Sequence, residues 1–175
     1  GKTDIYCPMY ADYNHSERYC SEGNPRPLIQ CEYCHTMGNS GGGLKEYWDL
    51  IRKYRNYQGG YVWDYVDQGL RSKSKVTGKE IFTYGGDYGR FPASDNNFNI
   101  NGMISPDHVP NPHAYEIKYC YQNVWPTLLS ASEGTVQVYN ENFFVTLNNI
   151  NLVYTIKADG QKVSEGKISL ADYTI

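Results

Sequence analysis

The sequence predicts an α/β fold over residues 1–125 and an antiparallel β structure over residues 126–175. Three observations lead to this prediction. Strand-like apolar runs flank a stretch with helical periodicity, an order typical of parallel strands joined by a helix. Long loops rich in glycine and asparagine follow the second of these runs. After Trp125-Pro126, apolar and polar residues alternate, which is the pattern of half-buried strands.

Three short runs are the predicted strands of the α/β part. Residues 4–10 are expected to form a strand in which regular pairing ends near Pro8, because proline has no N–H to donate. Residues 28–33 form the second strand, and a Gly/Asn/Ser turn follows it. Residues 61–66, after the pair Gly59-Gly60, form the third, since they are rich in β-forming side chains.

A helix is predicted between the second and third strands. Its apolar positions recur at helical spacing and make one face: Leu44, Tyr47, Trp48, Ile51 and Tyr54. Asn39 or Ser40 is expected to cap its first turn. A strand–helix–strand unit of this kind implies parallel strands and a right-handed crossover. Residues 15–27 are expected to be a loop, with a helical turn as an alternative for part of it, and residues 71–79 are also expected to be a loop. Pro112 is expected to open a further helix.

The C-terminal part is predicted to contain about four antiparallel strands. Residues 135–139 and 152–158 alternate at a period of two, and the dipeptide Asp159-Gly160 is a two-residue hairpin signal. Two further short runs, 161–163 and 167–170, follow the hairpin. These strands are expected to open a β-sandwich.

Charge and hydropathy exclude several classes of partner. The formal net charge is -3, and Lys and Arg are scattered, which argues against a nucleic-acid partner or a polybasic membrane surface. No apolar run approaches the roughly 18 residues that a membrane span requires. The N-terminus has no export-signal pattern. The compartment, cytoplasmic or periplasmic, is left open.

Cysteine and tyrosine each allow two interpretations. Five cysteines at irregular spacing do not describe a disulfide framework, and the pair Cys31 and Cys34 forms a C-x-x-C beside a strand, so free thiols are expected. Zinc would need two more soft ligands. The 18 tyrosines suit either half-buried strand positions or a site that stacks on sugar rings.

The segment at residues 27–40, PLIQCEYCHTMGNS, places Glu32 at the end of an apolar run and just before a turn. It resembles the nucleophile motif of the β-galactosidases of glycoside hydrolase family 2. Further segments match that family in order: residues 4–10, 26–40, 58–70, 84–89 with 98–102, and 134 onward. The resemblance implies the C-terminal portion of a (β/α)8 TIM barrel, with its last three strands, over residues 1–125. The start of an immunoglobulin-like β-sandwich would follow over residues 126–175.

The resemblance also implies a mechanism and a set of site residues. A retaining glycosidase needs two carboxylates about 5–5.5 Å apart. Glu32 matches the nucleophile of this family, and Tyr10 matches a tyrosine that lies against it. His35 matches a histidine that binds the galactosyl hydroxyls, and Trp63 matches an indole wall beside the sugar.

The implied cofactors are cations. Phe98, through its backbone carbonyl, and Asn101 match positions of a monovalent-cation site, usually sodium, near the galactose 6-hydroxyl. The Mg²⁺ ligands of the parent enzyme and its acid/base motif have no match in this chain. Cys34 and Thr36 stand where the best-known members have alanines.

These implications predict part of a retaining β-galactosidase that is inactive as an isolated chain, because the acid/base carboxylate is absent. Its partner would be a β-galactoside or a related carbohydrate. Three alternatives remain open: a non-catalytic carbohydrate-binding module, another family 2 glycosidase such as a β-glucuronidase, and an assembly fragment whose exposed strand edges pair with another chain. A homo-oligomer is also left open.

Overall fold

The computed structural model describes residues 3–89, 99–171 and 173, and the chain forms two compact units, Gly1–Tyr121 and Gln122–Ile175. The helices and strands of the first unit are α1 (Tyr13–Ser21), β1 (Leu28–Tyr33), α2 (Leu44–Lys53), β2 (Tyr57–Val62), β3 (Leu70–Lys73), β4 (Glu80–Thr83), a 3₁₀ turn (Gly85–Tyr88) and α3 (Pro112–Cys120). Those of the second unit are β5 (Val124–Ser130), β6 (Thr135–Asn140), β7 (Asn151–Ala158) and β8 (Gln161–Ser169).

Parallel pairing organises the first unit. Strands β1 and β2 are parallel, as the sequence predicts, and α2 connects them. Residues 4–10 lie along the other side of β1 through parallel bridges that pair Tyr6 with Leu28 and Met9 with Glu32. A further parallel bridge joins Val66 to Ile104. Within the described residues these segments do not close into a barrel.

Two of the predicted strand boundaries are wrong. Residues 4–10 make only two isolated bridges, because Pro8 interrupts the regular pattern of N–H donors. Strand β2 begins at Tyr57, not at residue 61, and so contains Gly59 and Gly60. A Cβ on Gly60 would lie 3.0 Å from Cδ1 of Tyr33, so this glycine permits the close packing of β2 against β1.

The helix predicted between the strands is confirmed, but its cap is not. Gly43, with a φ of 75°, is the N-cap of α2, and no side chain caps it. The hydroxyl of Tyr13 donates to the Gly43 carbonyl at 2.8 Å, and a Cβ on Gly43 would collide with that hydroxyl. Ser40, one of the two predicted caps, instead donates to the His35 and Met37 carbonyls.

Two regions predicted as loops are regular structure. Helix α1 has Asp12 as its N-cap, whose side chain accepts from the His15 N–H at 2.7 Å. This helix is polar, so it lacks the apolar stripe by which sequence periodicity identifies a helix. Strands β3 and β4 form an antiparallel hairpin over a region expected to be irregular. The helix expected from Pro112 is confirmed as α3.

The helices cover one side of the parallel strands in two apolar clusters. The first cluster has as its buried members Tyr33, Leu44, Met103, Ile117 and Cys120. The second contains Cys20, Leu28 and Tyr57, and Tyr47 of α2 packs against both clusters. The buried tyrosines also satisfy their hydroxyls, since Tyr33 shares a 2.8 Å hydrogen bond with Tyr121 and Tyr57 accepts from Gln30 at 2.7 Å. These tyrosines are core residues and do not form a sugar platform.

The second unit consists of two antiparallel hairpins, β5–β6 and β7–β8. The predicted Asp159-Gly160 turn is confirmed, and both residues have a positive φ, 49° and 79°, as the tight hairpin requires. Within the described residues the two hairpins are separate two-stranded sheets, so the immunoglobulin-like sandwich remains a prediction. None of the helices in the described ranges has the length and apolar character that a membrane crossing needs.

Candidate active site

Glu32 lies one residue before the end of β1, where a neighbouring parallel segment brings Tyr10 beside it. The Tyr10 N–H donates to the Glu32 carbonyl at 2.8 Å, and Met9 pairs with Glu32 in a parallel bridge. Glu32 is half-buried, and Tyr10 is 41% exposed. Both side chains are therefore at the carboxyl end of the parallel strands, where barrel enzymes carry their functional groups.

The phenol of Tyr10 interacts with the Glu32 carboxylate. Burial raises the pKa of the Tyr10 phenol, and the hydrogen bond to Glu32 and the negative charge of that carboxylate raise it further. The phenol therefore stays protonated at neutral pH and can donate to the carboxylate. The Tyr10 backbone has a φ of 50°, an uncommon conformation for a residue other than glycine.

His35 lies between the Tyr10 phenol and Asn101. Its ring meets the Tyr10 ring edge-on, with 5.7 Å between the centroids and an angle of 78°. Its Nε2 atom is 3.4 Å from Nδ2 of Asn101. The structure thus brings four of the predicted site residues, Tyr10, Glu32, His35 and Asn101, into one continuous cluster.

Trp63 joins the cluster through its backbone. Its carbonyl accepts the Thr36 N–H at 2.9 Å and lies 3.4 Å from the Thr36 hydroxyl. That hydroxyl also donates to the Asn101 carbonyl, which accepts in addition from the Asp64 N–H at 2.9 Å. The buried Thr36 therefore links both Trp63 and Asn101 to the loop after β1.

Asp67 fixes the segment that carries Asn101. Its carboxylate is buried and accepts the Gly102 N–H at 2.5 Å, while its own N–H donates to the Ile104 carbonyl at 2.9 Å. Asp64 holds the adjacent loop by accepting from Gln68 Nε2 at 2.6 Å. These contacts do not indicate a second catalytic group, because the carboxylates of Asp64 and Asp67 both accept hydrogen bonds that hold loops in place.

The structure describes one of the two predicted residues of the cation site. Phe98 lies outside the described residues, and Asn101 is buried with its amide nitrogen towards His35. The amide oxygen, on the other side of the planar amide, is the type of ligand that a hard cation prefers. In the ranges that the structure describes, no cluster of three or more His, Cys, Asp or Glu could hold a metal ion.

Thr36 is the residue of this cluster whose role the sequence did not reveal. In the sequence, Thr36 differs from the alanine of the best-known family members, and that difference alone indicates no role. No local pattern signals a hydroxyl that bonds to carbonyls 27 and 65 residues away in the chain. Only the folded arrangement of β1, β2 and the Asn101 segment gives this hydroxyl its partners.

Replacing Thr36 by valine should therefore destabilise the first unit by about 1 kcal/mol, because the isosteric change removes one buried hydrogen bond while the Asn101 carbonyl keeps the Asp64 N–H. Chemical denaturation of the chain measures the difference. Thr36→Ser is the matched control, since it keeps the hydroxyl. An unfolding free energy for the valine variant equal to that of the unsubstituted chain would contradict the assigned role.

A half-buried carboxylate at the carboxyl end of a parallel strand, with a phenol and an imidazole beside it, is typical of the catalytic face of a barrel enzyme. Comparison with known sequences identifies the family of barrel enzymes to which the chain belongs. Residues 2–125 match the family model described as glycosyl hydrolases family 2, TIM barrel domain. The chain belongs to glycoside hydrolase family 2, and these residues are part of the TIM barrel domain of that family.

Individual relatives agree with the family match. A β-galactosidase from Clostridium acetobutylicum is 42% identical over 163 residues, which cover 93% of this chain and 18% of that protein. A β-galactosidase from Leuconostoc mesenteroides subsp. mesenteroides is 40% identical over 183 residues, covering 96% of this chain and 18% of that protein. The chain thus spans about a fifth of the length of these curated relatives.

Among solved structures, a β-glucuronidase from Ruminococcus gnavus matches 68% of this chain and 22% of its own length, at 13% identity and a TM-score of 0.43. A likeness of that size carries no argument about substrate. The assignment of the chain to family 2, and its similarity to β-galactosidases, are based on the sequence matches alone.

Proposed function

We propose that this chain is the part of a retaining β-galactosidase that carries the catalytic nucleophile, Glu32. The observation that supports the proposal most strongly is the position of Glu32 at the carboxyl end of the parallel strands, where a 2.8 Å backbone hydrogen bond holds Tyr10 beside it. Relatives about 40% identical over nearly the whole chain are β-galactosidases, which favours a terminal β-D-galactosyl substrate.

In the proposed reaction the Glu32 carboxylate attacks the anomeric carbon and displaces the aglycone, which gives a covalent glycosyl-enzyme. The Tyr10 phenol donates a hydrogen bond to the carboxylate, which holds it in place before attack. Water then releases the sugar with retention of configuration. A second carboxyl group must protonate the leaving group as an acid and then, as a carboxylate, accept a proton from that water.

His35, Trp63 and Asn101 are proposed to hold the sugar. The His35 ring lies beside both Tyr10 and Asn101, so it can donate to or accept from a galactosyl hydroxyl next to the nucleophile. Trp63 would supply an apolar wall. If Asn101 and Phe98 hold a sodium ion, the cation supplies an electrostatic contact for the 6-hydroxyl of the sugar.

The isolated chain is expected to show no hydrolysis of an aryl β-galactoside, because these residues supply one carboxylate of the two that the mechanism needs. A chimera tests the complementary expectation. In it, this chain replaces the matching segment of the Clostridium acetobutylicum β-galactosidase, and we expect it to hydrolyse the aryl β-galactoside. Turnover by the pure isolated chain that depends on Glu32, or a folded chimera without activity, would contradict the proposal.

The second candidate is a non-catalytic carbohydrate-binding module. The exposed aromatic side chains of the first unit favour it, among them Tyr61 and Tyr65 at 68% and 62% exposure. Calorimetry with galactose and lactose separates the two functions. A module would bind the sugar equally well after Glu32→Gln, whereas a catalytic site would show altered binding and a loss of chimera activity.

The sugar specificity is testable in the same chimera. An aryl β-galactoside and an aryl β-glucuronide differ at C6, where a β-galactoside has a hydroxyl and a β-glucuronide a carboxylate. Because the relatives that match this chain at about 40% identity are β-galactosidases, a preference for the β-galactoside is expected. A preference for the β-glucuronide would support the alternative family 2 activity.

A further inference from the structure

Residues 101–104 form a short segment that is hydrogen-bonded to a neighbour on each side. On one side, the Met103 N–H donates to the Asp64 carbonyl at 2.9 Å. On the other side, the Met103 carbonyl accepts from the Asn111 N–H, also at 2.9 Å. The segment begins with Asn101, to which the proposed function gives a part in holding the sugar. Side chains from both neighbours can therefore reach the peptide groups next to Asn101.

The Gly102 carbonyl accepts hydrogen bonds from two side chains of the second neighbour. Asn111 Nδ2 donates to it at 2.9 Å, and His113 Nε2 lies 3.1 Å from it. Because a carbonyl oxygen only accepts, the Nε2 atom of His113 carries the hydrogen of this bond. The donor pair, Asn111 and His113, thus supplies two donors to a buried carbonyl that has two lone pairs.

The other polar group of Gly102 is bound from the opposite neighbour. The Asp67 carboxylate accepts the Gly102 N–H at 2.5 Å. A Cβ on Gly102 would lie 2.6 Å from the backbone carbon of Val66, so the backbone is also closely packed here. Gly102 is therefore held through both of its backbone polar groups. Since Asn101 directly precedes Gly102, any movement of Gly102 would displace Asn101.

Helix α3 holds the donor pair in place. Asn111 is the N-cap of this helix, and Pro112 is its first residue. Further along the helix, Ile117 and Cys120 are buried in the first apolar cluster, which also contains Tyr33 of β1. The donor pair is thus attached, through α3, to the strand that carries the proposed nucleophile.

We propose that Asn111 and His113 are positioning residues of the sugar site, which fix Asn101 by binding the Gly102 carbonyl. The inference rests on the proposed function, in which Asn101 helps to hold the sugar. The donor pair acts on the sugar through Asn101, so its effect on hydrolysis depends on the Asn101 side chain. A rigid support of this kind matters because a displacement of about 1 Å in a group that orients the substrate can slow the reaction strongly.

The test is a double-mutant cycle in the chimera. Asn111→Ala combined with His113→Leu removes both donors and should lower kcat/KM for the aryl β-galactoside by roughly 10- to 100-fold. In a chimera that already carries Asn101→Ala, the same two changes should lower kcat/KM by less than about twofold, because their effect passes through the Asn101 side chain. Additive losses would overturn the proposal, since they would indicate a general loss of structure.

Two further variants are matched to the first. Asn111→Ala combined with His113→Gln keeps one side-chain N–H for the Gly102 carbonyl, so it should recover most of the activity that the leucine variant loses. His108→Asn removes an exposed histidine of the preceding loop and should keep full activity, because asparagine tolerates the φ of 63° at this position. Equal activity of the glutamine and leucine variants would count against the donor role of His113.

Hydrogen exchange in the 175-residue chain separates failure of this inference from failure of the proposed function. In the variant without both donors, the Gly102 N–H should exchange at least about tenfold faster, because the peptide is released locally. The Ile29 N–H, which donates to the Tyr6 carbonyl at 3.0 Å, should exchange at its original rate. An unchanged Gly102 rate would overturn the inference. Faster Gly102 exchange together with an inactive unsubstituted chimera would support the hold on Gly102 and contradict the proposed function.

Discussion

Replacing Glu32 by glycine in the chimera is expected to lower the hydrolysis of an aryl β-galactoside by on the order of 10⁴-fold or more, as is usual when a catalytic nucleophile is removed. The glycine leaves space on the face of the sugar from which the carboxylate attacks. Added azide should enter that space and restore turnover, with an α-galactosyl azide as product. The product is α because only one of the two inversions of a retaining reaction remains.

The controls for this experiment separate the proposed role from a structural one. Glu32→Gln removes the negative charge but leaves no space for azide, so it should be inactive with and without the anion. Glu22→Gln, at the exposed C-terminal cap of α1, should retain activity. A β-galactosyl azide product would assign Glu32 the acid/base role, and substantial activity of Glu32→Gly without azide would exclude it as nucleophile.

Gly102→Ala is expected to destabilise the first unit by roughly 3 kcal/mol, because a Cβ at this position has no room. It would lie 2.6 Å from the backbone carbon of Val66 and 2.7 Å from the carbonyl oxygen of Ile104, and it would collide with the Asp67 nitrogen. The segment would have to move away from the Asp67 carboxylate, which now accepts the Gly102 N–H. Chemical denaturation of the chain measures the loss.

Gly42→Ala is the matched control for Gly102→Ala. A Cβ on Gly42 meets no atom within 4 Å, so its unfolding free energy should stay within about 0.5 kcal/mol of that of the unsubstituted chain. Because Gly102 follows Asn101, the same alanine should also weaken sugar hydrolysis by the chimera. Equal stability of the Gly102 and Gly42 variants would contradict the close approach that holds Asn101 near His35.

Sequence patterns predicted correctly those helices and turns that are determined by their own residues. The stripe of α2 and the Asp159-Gly160 turn are examples, and both are confirmed. Helix α1 was missed because it is polar and is defined by its Asp12 cap and its packing. The start of β2 was misplaced because Gly59 and Gly60 look like a break until the ring of Tyr33 is seen against Gly60.

The candidate site shows the same division. The family resemblance named the candidate residues, and the structure places Tyr10, Glu32, His35 and Asn101 together. Their chemical roles stay predictions. Thr36 could not be found this way, because its partners Trp63 and Asn101 are distant in sequence and are backbone carbonyls. Every residue has a backbone carbonyl, so the residue type at positions 63 and 101 does not reveal that the carbonyl there accepts a hydrogen bond. Phe98, the remaining predicted ligand, lies outside the described residues.

The most direct test of the central claim is a covalent label on the nucleophile. A 2-deoxy-2-fluoro-galactoside with a good leaving group slows both steps of a retaining reaction, because fluorine destabilises the oxocarbenium-like transition state, and the glycosyl-enzyme accumulates. Peptide mapping of the inactivated chimera should find the fluorosugar on Glu32, and Glu32→Gln should not be labelled. A label on any other residue, or inactivation without a covalent sugar, would contradict the account.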